Sequence, residues 1–372
     1  MSSIEWLLAF MVFAVTFANG ANDNFKGVAT LFGSGAASYR RALWWATVTT
    51  AAGCLAALAL AAALVTRFSG KGLVPDALTA DPAFLSAVGA GAAITVMLAT
   101  RLGFPISTTH ALTGALVGSG LVAVGEELRF AALGTGFVAP LLLSPFAAAV
   151  LVAGVHASFG AIRRRWGNED VCVCVAESGG APERPVLAGG NFLETSDTTA
   201  HPVPIVARVS ECAAQGLVPA TTAGSALDAA HYVSAGAVGF ARGVNDMPKL
   251  LALLLPAHVL PTPAAVVLLT GVMAIGGVIG AKRVAETMSH RVTPMTPGQG
   301  FAANVTTALL VLFASRFGLP VSTTHVSSGS LFGLGAVTGQ ARWRTIIHIV
   351  LAWIVTLPCA AAFAAIAFWL IR

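Results

Sequence analysis

The chain has 372 residues, of which 56% are apolar and 10% charged, and 21 Lys+Arg against 16 Asp+Glu give a formal net charge of +5. Its mean hydropathy is +0.81. A soluble domain carries about 25% charged residues, so this composition excludes an ordinary cytosolic enzyme and a nucleic-acid binder that needs a basic face. It describes an all-α polytopic membrane protein, in which each helix needs about 20 apolar residues to cross a lipid bilayer.

The first apolar stretch, residues 4–19, holds Glu5 where a cleaved leader would need positive charge, and it reads as mature sequence. Further apolar runs lie near 42–65, 83–100, 106–124 and 131–160, and again near 231–256, 262–281, 300–316, 322–338 and 345–371. Between the two sets, residues 163–216 hold Arg163, Arg164 and Arg165, a concentration of acidic residues, and prolines 182, 185, 202 and 204. That segment is expected to be a cytoplasmic linker, partly disordered, between a first transmembrane repeat (1–162) and a second (217–372). Five scattered cysteines form no framework of pairs, and no cofactor is expected.

The two halves repeat. Residues 96–120 align with 311–335 without a gap, and 13 of the 25 positions are identical. Gly20-Ala-Asn-Asp-Asn-Phe-Lys-Gly27 pairs with Gly243-Val-Asn-Asp-Met-Pro-Lys-Leu250. Two polar motifs, each occurring twice in the same order, mark an internal duplication. Charge placement relates the halves. With 163–165 in the cytoplasm, and 83–124 and 300–338 taken as hairpins that dip in and return, Arg40, Arg41, Lys282, Arg283, Arg291, Arg342 and Arg344 all fall inside. The repeats are then inverted, with a broken helix and a re-entrant hairpin in each.

The first polar island is Arg101-Leu-Gly-Phe-Pro-Ile-Ser107-Thr108-Thr109-His110, with its twin Arg316-Phe-Gly-Leu-Pro-Val-Ser322-Thr323-Thr324-His325. Glycine and proline stop one helix, and Ser-Thr-Thr begins the next, where hydroxyls cap free N–H groups. Such a start also carries unpaired donors and partial positive charge. Two of them from inverted halves would face one point at the midplane, an oxyanion site. Simple capping, with Arg101 and Arg316 reaching a headgroup, is the alternative.

The second island is Asn22-Asp23 with Asn245-Asp246. An intramembrane Asp is functional by default. Its hard oxygens suit a small cation such as sodium, or the carboxylate carries a proton. An ion pair with Lys26 or Lys249, three residues on, is the structural alternative. His110 and His325 have three open roles: donating to an anion, shuttling protons, or packing. The glycines at 114, 118, 120, 329, 333 and 335 read as close-packing surfaces.

At these residues the chain resembles the PiT family of inorganic phosphate transporters, whose duplicated signatures match Gly-Ala-Asn-Asp at 20–23 and Pro-Ile/Val-Ser-Thr-Thr-His in both halves. The resemblance implies an inverted-repeat helical carrier with two re-entrant hairpins that takes up phosphate with sodium or protons as a homodimer. It places the anion on Ser107, Thr108, Thr109, Ser322, Thr323 and Thr324. Asn22, Asp23, Asn245 and Asp246 then lie at the cation and phosphate site. One departure is symmetric: Lys26 and Lys249 stand where the family motif has asparagine. An ammonium there takes the place of a sodium ion and joins the substrate site, which predicts weak dependence on sodium and a proton-driven process. The rival readings are a permease for sulfate or another tetrahedral oxyanion, a channel, and an intramembrane enzyme using paired Asp or His.

Overall fold

The computed structural model describes residues 2–166, 171–176, 203–208, 219–258 and 260–372. Among them, ten long helices follow the apolar runs. They are α1 (Ser3–Asp23), α2 (Tyr39–Ala61), α3 (Pro82–Leu102), α4 (Thr108–Val124), α5 (Ala139–Trp166), α6 (Ala223–Leu254), α7 (Thr262–Gly280), α8 (Pro297–Arg316), α9 (Thr323–Thr338) and α10 (Trp343–Ile371). Each of α1–α5 has a counterpart in α6–α10 in the same order. Among the described residues, eight helices are long and apolar enough to cross a membrane. The chain is a multi-pass membrane protein, and its outer surface is correspondingly apolar, with Phe10, Leu143, Phe146, Val150 and Trp369 exposed.

The chain divides into two compact units, Met1–His156 with Tyr232–Arg372, and Ala157–His231. The second unit contains a three-stranded antiparallel sheet in the order β2-β1-β3, from β1 (Val171–Ala176), β2 (Val203–Arg208) and β3 (Pro219–Thr222). In register, Val171 faces Arg208 and Ala176 faces Val203. These strands lie in and just beyond the stretch read from composition as a linker. Their local sequences, Val-Cys-Val-Cys-Val and Val-Pro-Ile-Val, are rich in β-branched residues. The rest of 163–216, beyond the end of α5, lies outside the described residues.

In the first unit the halves interleave. Helix α1 packs on α3 and also on α7, while α10 packs on α3 and α4. Glycines permit the closest approaches. A Cβ on Gly118 of α4 would lie 2.0 Å from the Ala361 carbonyl oxygen of α10, and one on Gly333 of α9 would lie 2.5 Å from the Ala149 oxygen of α5. Gly114 and Gly329, one turn earlier, make the same approaches to Leu357 and Pro145. Each half's hairpin is thus seated on the last helix of the other half.

Both hairpins turn by the same device. Gly103 (φ 79°) and Gly318 (φ 65°) take the left-handed conformation that suits glycine. The next residues, Phe104 and Leu319, donate back to the Ala99 and Ala314 carbonyls at 2.9 Å in each case. A break after the Asn-Asp motif is present in the first half only. There α1 ends at Asp23 and a short helix resumes at Ala29–Gly33. In the second half α6 runs on through Asp246 with Pro248 inside it. Gly27 and the β-branched Val28 follow the first motif, whereas Leu250-Leu-Ala-Leu-Leu254 favours continued helix after the second.

Gly118→Val places branched atoms against the α10 backbone. It should lower stability by about 1–3 kcal/mol, measured as the unfolding temperature of the purified protein in detergent.

Candidate functional site

Among the described residues, five Asp, Glu, Lys or Arg side chains are buried: Asp23, Lys26, Arg242, Asp246 and Lys249. All five belong to one network at the junction of α1, α6 and the starts of α4 and α9.

The Lys26 ammonium is ringed by Asn22 Oδ1 at 2.9 Å, Asp23 Oδ1, the Ile106 carbonyl oxygen at 2.8 Å and Thr324 Oγ1 at 2.5 Å. Lys249 donates to Thr109 Oγ1 at 2.7 Å, Asp246 Oδ1 at 3.1 Å and the Val321 carbonyl oxygen at 3.2 Å. The two sets correspond. Each lysine binds its own aspartate, a carbonyl just after a hairpin proline, and a threonine from the opposite half. Ile106 follows Pro105 and Val321 follows Pro320, so each lysine draws that carbonyl from its own half. The threonines also cross over, Thr324 donating to the Ile106 oxygen (2.8 Å) and Thr109 to the Val321 oxygen (3.3 Å).

Asparagines complete the frame. The Asn22 amide donates to Thr100 Oγ1 (2.8 Å) and the Phe104 oxygen (3.0 Å), while its Oδ1 accepts from the Ile106 N–H (3.1 Å). Asn245 donates to Thr323 Oγ1 (3.1 Å) and accepts from Ser315 Oγ (3.1 Å). Asn19 joins the aspartates: its amide lies 3.2 Å from Asp23 Oδ2, 3.1 Å from Asp246 Oδ2 and 3.0 Å from Thr108 Oγ1. Thr108 Oγ1 in turn donates to Asp23 Oδ2 (3.2 Å).

The helix starts carry the expected caps. Ser107 Oγ accepts from the His110 N–H (3.0 Å), and Ser322 Oγ from the His325 N–H (3.2 Å). As acceptors there, both hydroxyls keep their own protons for another partner. His110 and His325 meet with ring centroids 4.5 Å apart, and His325 also stacks on Trp353 at 3.9 Å. His325 Nδ1 lies 3.1 Å from the Leu141 oxygen, while His110 Nδ1 and His325 Nε2 have no hydrogen-bond partner among the described residues. Both imidazoles line an otherwise largely apolar cavity of about 630 Å³, with Leu141, Pro145 and Trp353.

Of the residues singled out from sequence, both lysines, both Asn-Asp pairs, the six hydroxyl residues and both histidines converge here. Arg101 and Arg316 do not. Each is exposed on the last turn of its hairpin's first helix, next to Thr100 or Ser315 but outside the network, and the Arg101 carbonyl accepts from Arg283. Two members of the network, Arg242 and Asn19, lie outside the motifs read from sequence. Arg242 is wholly buried, with Nη2 donating to Asn19 Oδ1 (2.7 Å), Nη1 to Asn24 Oδ1 (3.2 Å), and Nε 3.5 Å from Asp246 Oδ2. The offset that pairs Asp23 with Asp246 also pairs Asn19 with Arg242, so an arginine inside an apolar run is the signal that marks it.

The fold and site define a polytopic helical membrane transporter with a buried polar centre shared by two matching halves. A family model described as the phosphate transporter family matches residues 19–364, and the chain belongs to that family. Its members are transporters and permeases, not enzymes, which sets aside the intramembrane acid–base reading. A Pyrococcus abyssi protein named "Putative phosphate permease" is 27% identical, over 99% of this chain and 98% of its own length. The chloroplastic inorganic phosphate transporter 2-1 of Arabidopsis thaliana is 27% identical, over 94% of this chain and 69% of its own. A solved structure, "The sodium-dependent phosphate transporter", superposes with a TM-score of 0.75 at 20% identity, covering 99% of both chains, and shares the fold.

Asp246→Ala leaves Lys249 and Arg242 without their carboxylate. It should destabilise the protein by about 3–5 kcal/mol, whereas Lys282→Ala, at an exposed site, should stay within about 0.5 kcal/mol. Thermal unfolding in detergent measures both.

Proposed function

We propose that the chain is a secondary active carrier of inorganic phosphate, driven by an ion gradient. The anion is held between the starts of α4 and α9. The observation that carries this reading is the convergence of those two starts on one buried centre, each lined by Ser-Thr-Thr. Helix starts present N–H donors and partial positive charge to an anion. The neighbouring aspartates favour a ligand that still has a proton to donate, as phosphate does and fully ionised sulfate does not.

The carrier alternates access by moving one half against the other around this centre, with the halves inverted in the membrane. The positive-inside distribution of loop arginines supports that orientation.

Purified protein in liposomes is expected to take up labelled phosphate. Ser107→Ala/Thr108→Val, or Ser322→Ala/Thr323→Val, should weaken phosphate binding by about 1–3 kcal/mol per donor removed. Unchanged affinity in a correctly folded variant would take these hydroxyls out of the site, and preferred uptake of sulfate would reassign the substrate.

Topology is tested separately. In a background without native cysteines, single cysteines at the exposed positions Asp76 and Gln340 should react with an impermeant thiol reagent from opposite faces. Labelling from the same face would end the inverted arrangement.

A further inference from the structure

The solved structure that this fold resembles is named as a sodium-dependent carrier. A coupling sodium requires a set of hard oxygens free to ligate it. The sets built around Asp23 and Asp246 do not fit a sodium ion, because an ammonium already stands in each. We propose that Lys26 and Lys249 are tethered cations that replace coupling sodium ions, so that this chain moves its anion without sodium. The uptake part of this inference rests on the phosphate reading; the binding part rests on the oxygens themselves.

Two independent observations carry it. The first is geometry. Around Lys26 the ligands are one carboxylate, one amide oxygen, one backbone carbonyl and one hydroxyl, and around Lys249 a carboxylate, a carbonyl and a hydroxyl. These are the oxygen types that hold a small monovalent ion, and here they point at nitrogen. Both lysines are essentially inaccessible, at 2% and 1% exposure, so neither side chain reaches out to water.

The second is charge. Counted at their ordinary charges, the buried Asp, Lys and Arg side chains are three cations and two carboxylates, one net positive charge. Arg242 is the odd member, since its counterpart in the first half is the neutral Asn19. A sodium ion would add to that excess, in surroundings that penalise uncompensated charge. The same excess suits an arriving anion.

The ammoniums also differ from a bound ion in what they join. Lys26 of the first half reaches Thr324 of the second, and Lys249 reaches Thr109 of the first. A sodium ion leaves with its substrate, whereas these cations stay with the chain through every cycle.

The test uses the full-length protein, with radiolabelled sodium binding in detergent and labelled phosphate uptake in liposomes, at equal ionic strength in sodium or potassium. The unmutated protein should bind no sodium above background, and its uptake should change by less than about twofold between the two salts. Lys26→Asn/Lys249→Asn opens both oxygen sets. It should bind sodium, unfold at a higher temperature when sodium is present, and show uptake raised about tenfold or more by sodium. Sodium binding by the unmutated protein, or uptake that rises about tenfold with sodium, overturns the proposal. So does a monodisperse double variant that binds no sodium. Should the double variant not fold, Lys26→Gln and Lys249→Gln are measured singly, and folded single variants that bind no sodium overturn the proposal in the same way. Absence of phosphate uptake in either salt, together with absence of sodium binding by the unmutated protein, removes the phosphate reading and leaves the tethered cations standing.

Discussion

Charge taken out of water must find its compensation where it stands, because the membrane around it supplies none. In this chain that constraint is met at one place. Asp23, Asp246, Lys26, Lys249 and Arg242 are buried together, and each is held by oxygen or nitrogen partners within the network. The arrangement of α1 and α6 beside the starts of α4 and α9 follows from it. Lys26 can satisfy its donors only if Ile106 and Thr324 stand beside it, and Lys249 needs Val321 and Thr109 in the same way. Removing either carboxylate leaves a cation without its partner, so the network is held as a set.

The backbone contributes to this centre because it is irregular there. Pro105 and Pro320 interrupt each hairpin between its two helices, and the following residues, Ile106 and Val321, turn their carbonyl oxygens toward the lysines. Backbone outside regular structure is tolerated inside a membrane protein where polar partners receive it. The prolines that break the helices therefore also create ligands, and the serines that follow restart the helices by capping them. One short motif supplies the end of one helix, the oxygen beside the lysine and the beginning of the next helix.

Much of this was legible in the sequence. The apolar runs anticipated the ten long helices, because a membrane span declares itself by composition over about 20 residues. The duplicated motifs anticipated the pairing of 107–110 with 322–325, and the Asp-to-Lys spacing of three residues anticipated both ion pairs. Three things were not legible. The symmetric motif concealed a backbone difference, since the helix ends after Asp23 and continues past Asp246. What decides that is the glycine and β-branched residues downstream, not the motif itself. The strands between the two halves were hidden by the polar composition around them. Arg242 has no charged twin in the first half, so the repeat does not point to it, and an arginine inside an apolar run is the one mark it carries. Arg101 and Arg316 show the opposite case: they are repeated, yet both are exposed and take no part in the network.

The glycine faces of α4 and α9 have a bearing on how the chain is made. Gly114 and Gly118 rest on α10, the last of the ten helices, whereas Gly329 and Gly333 rest on α5, which is synthesised long before them. The second hairpin therefore emerges into a seat already present. The first hairpin does not: during translation it must wait, with its narrow glycine face uncovered, for roughly the whole second half to be inserted. Seating of the first hairpin is for that reason a late event, completed only when α10 packs against a hairpin that entered the membrane near the beginning.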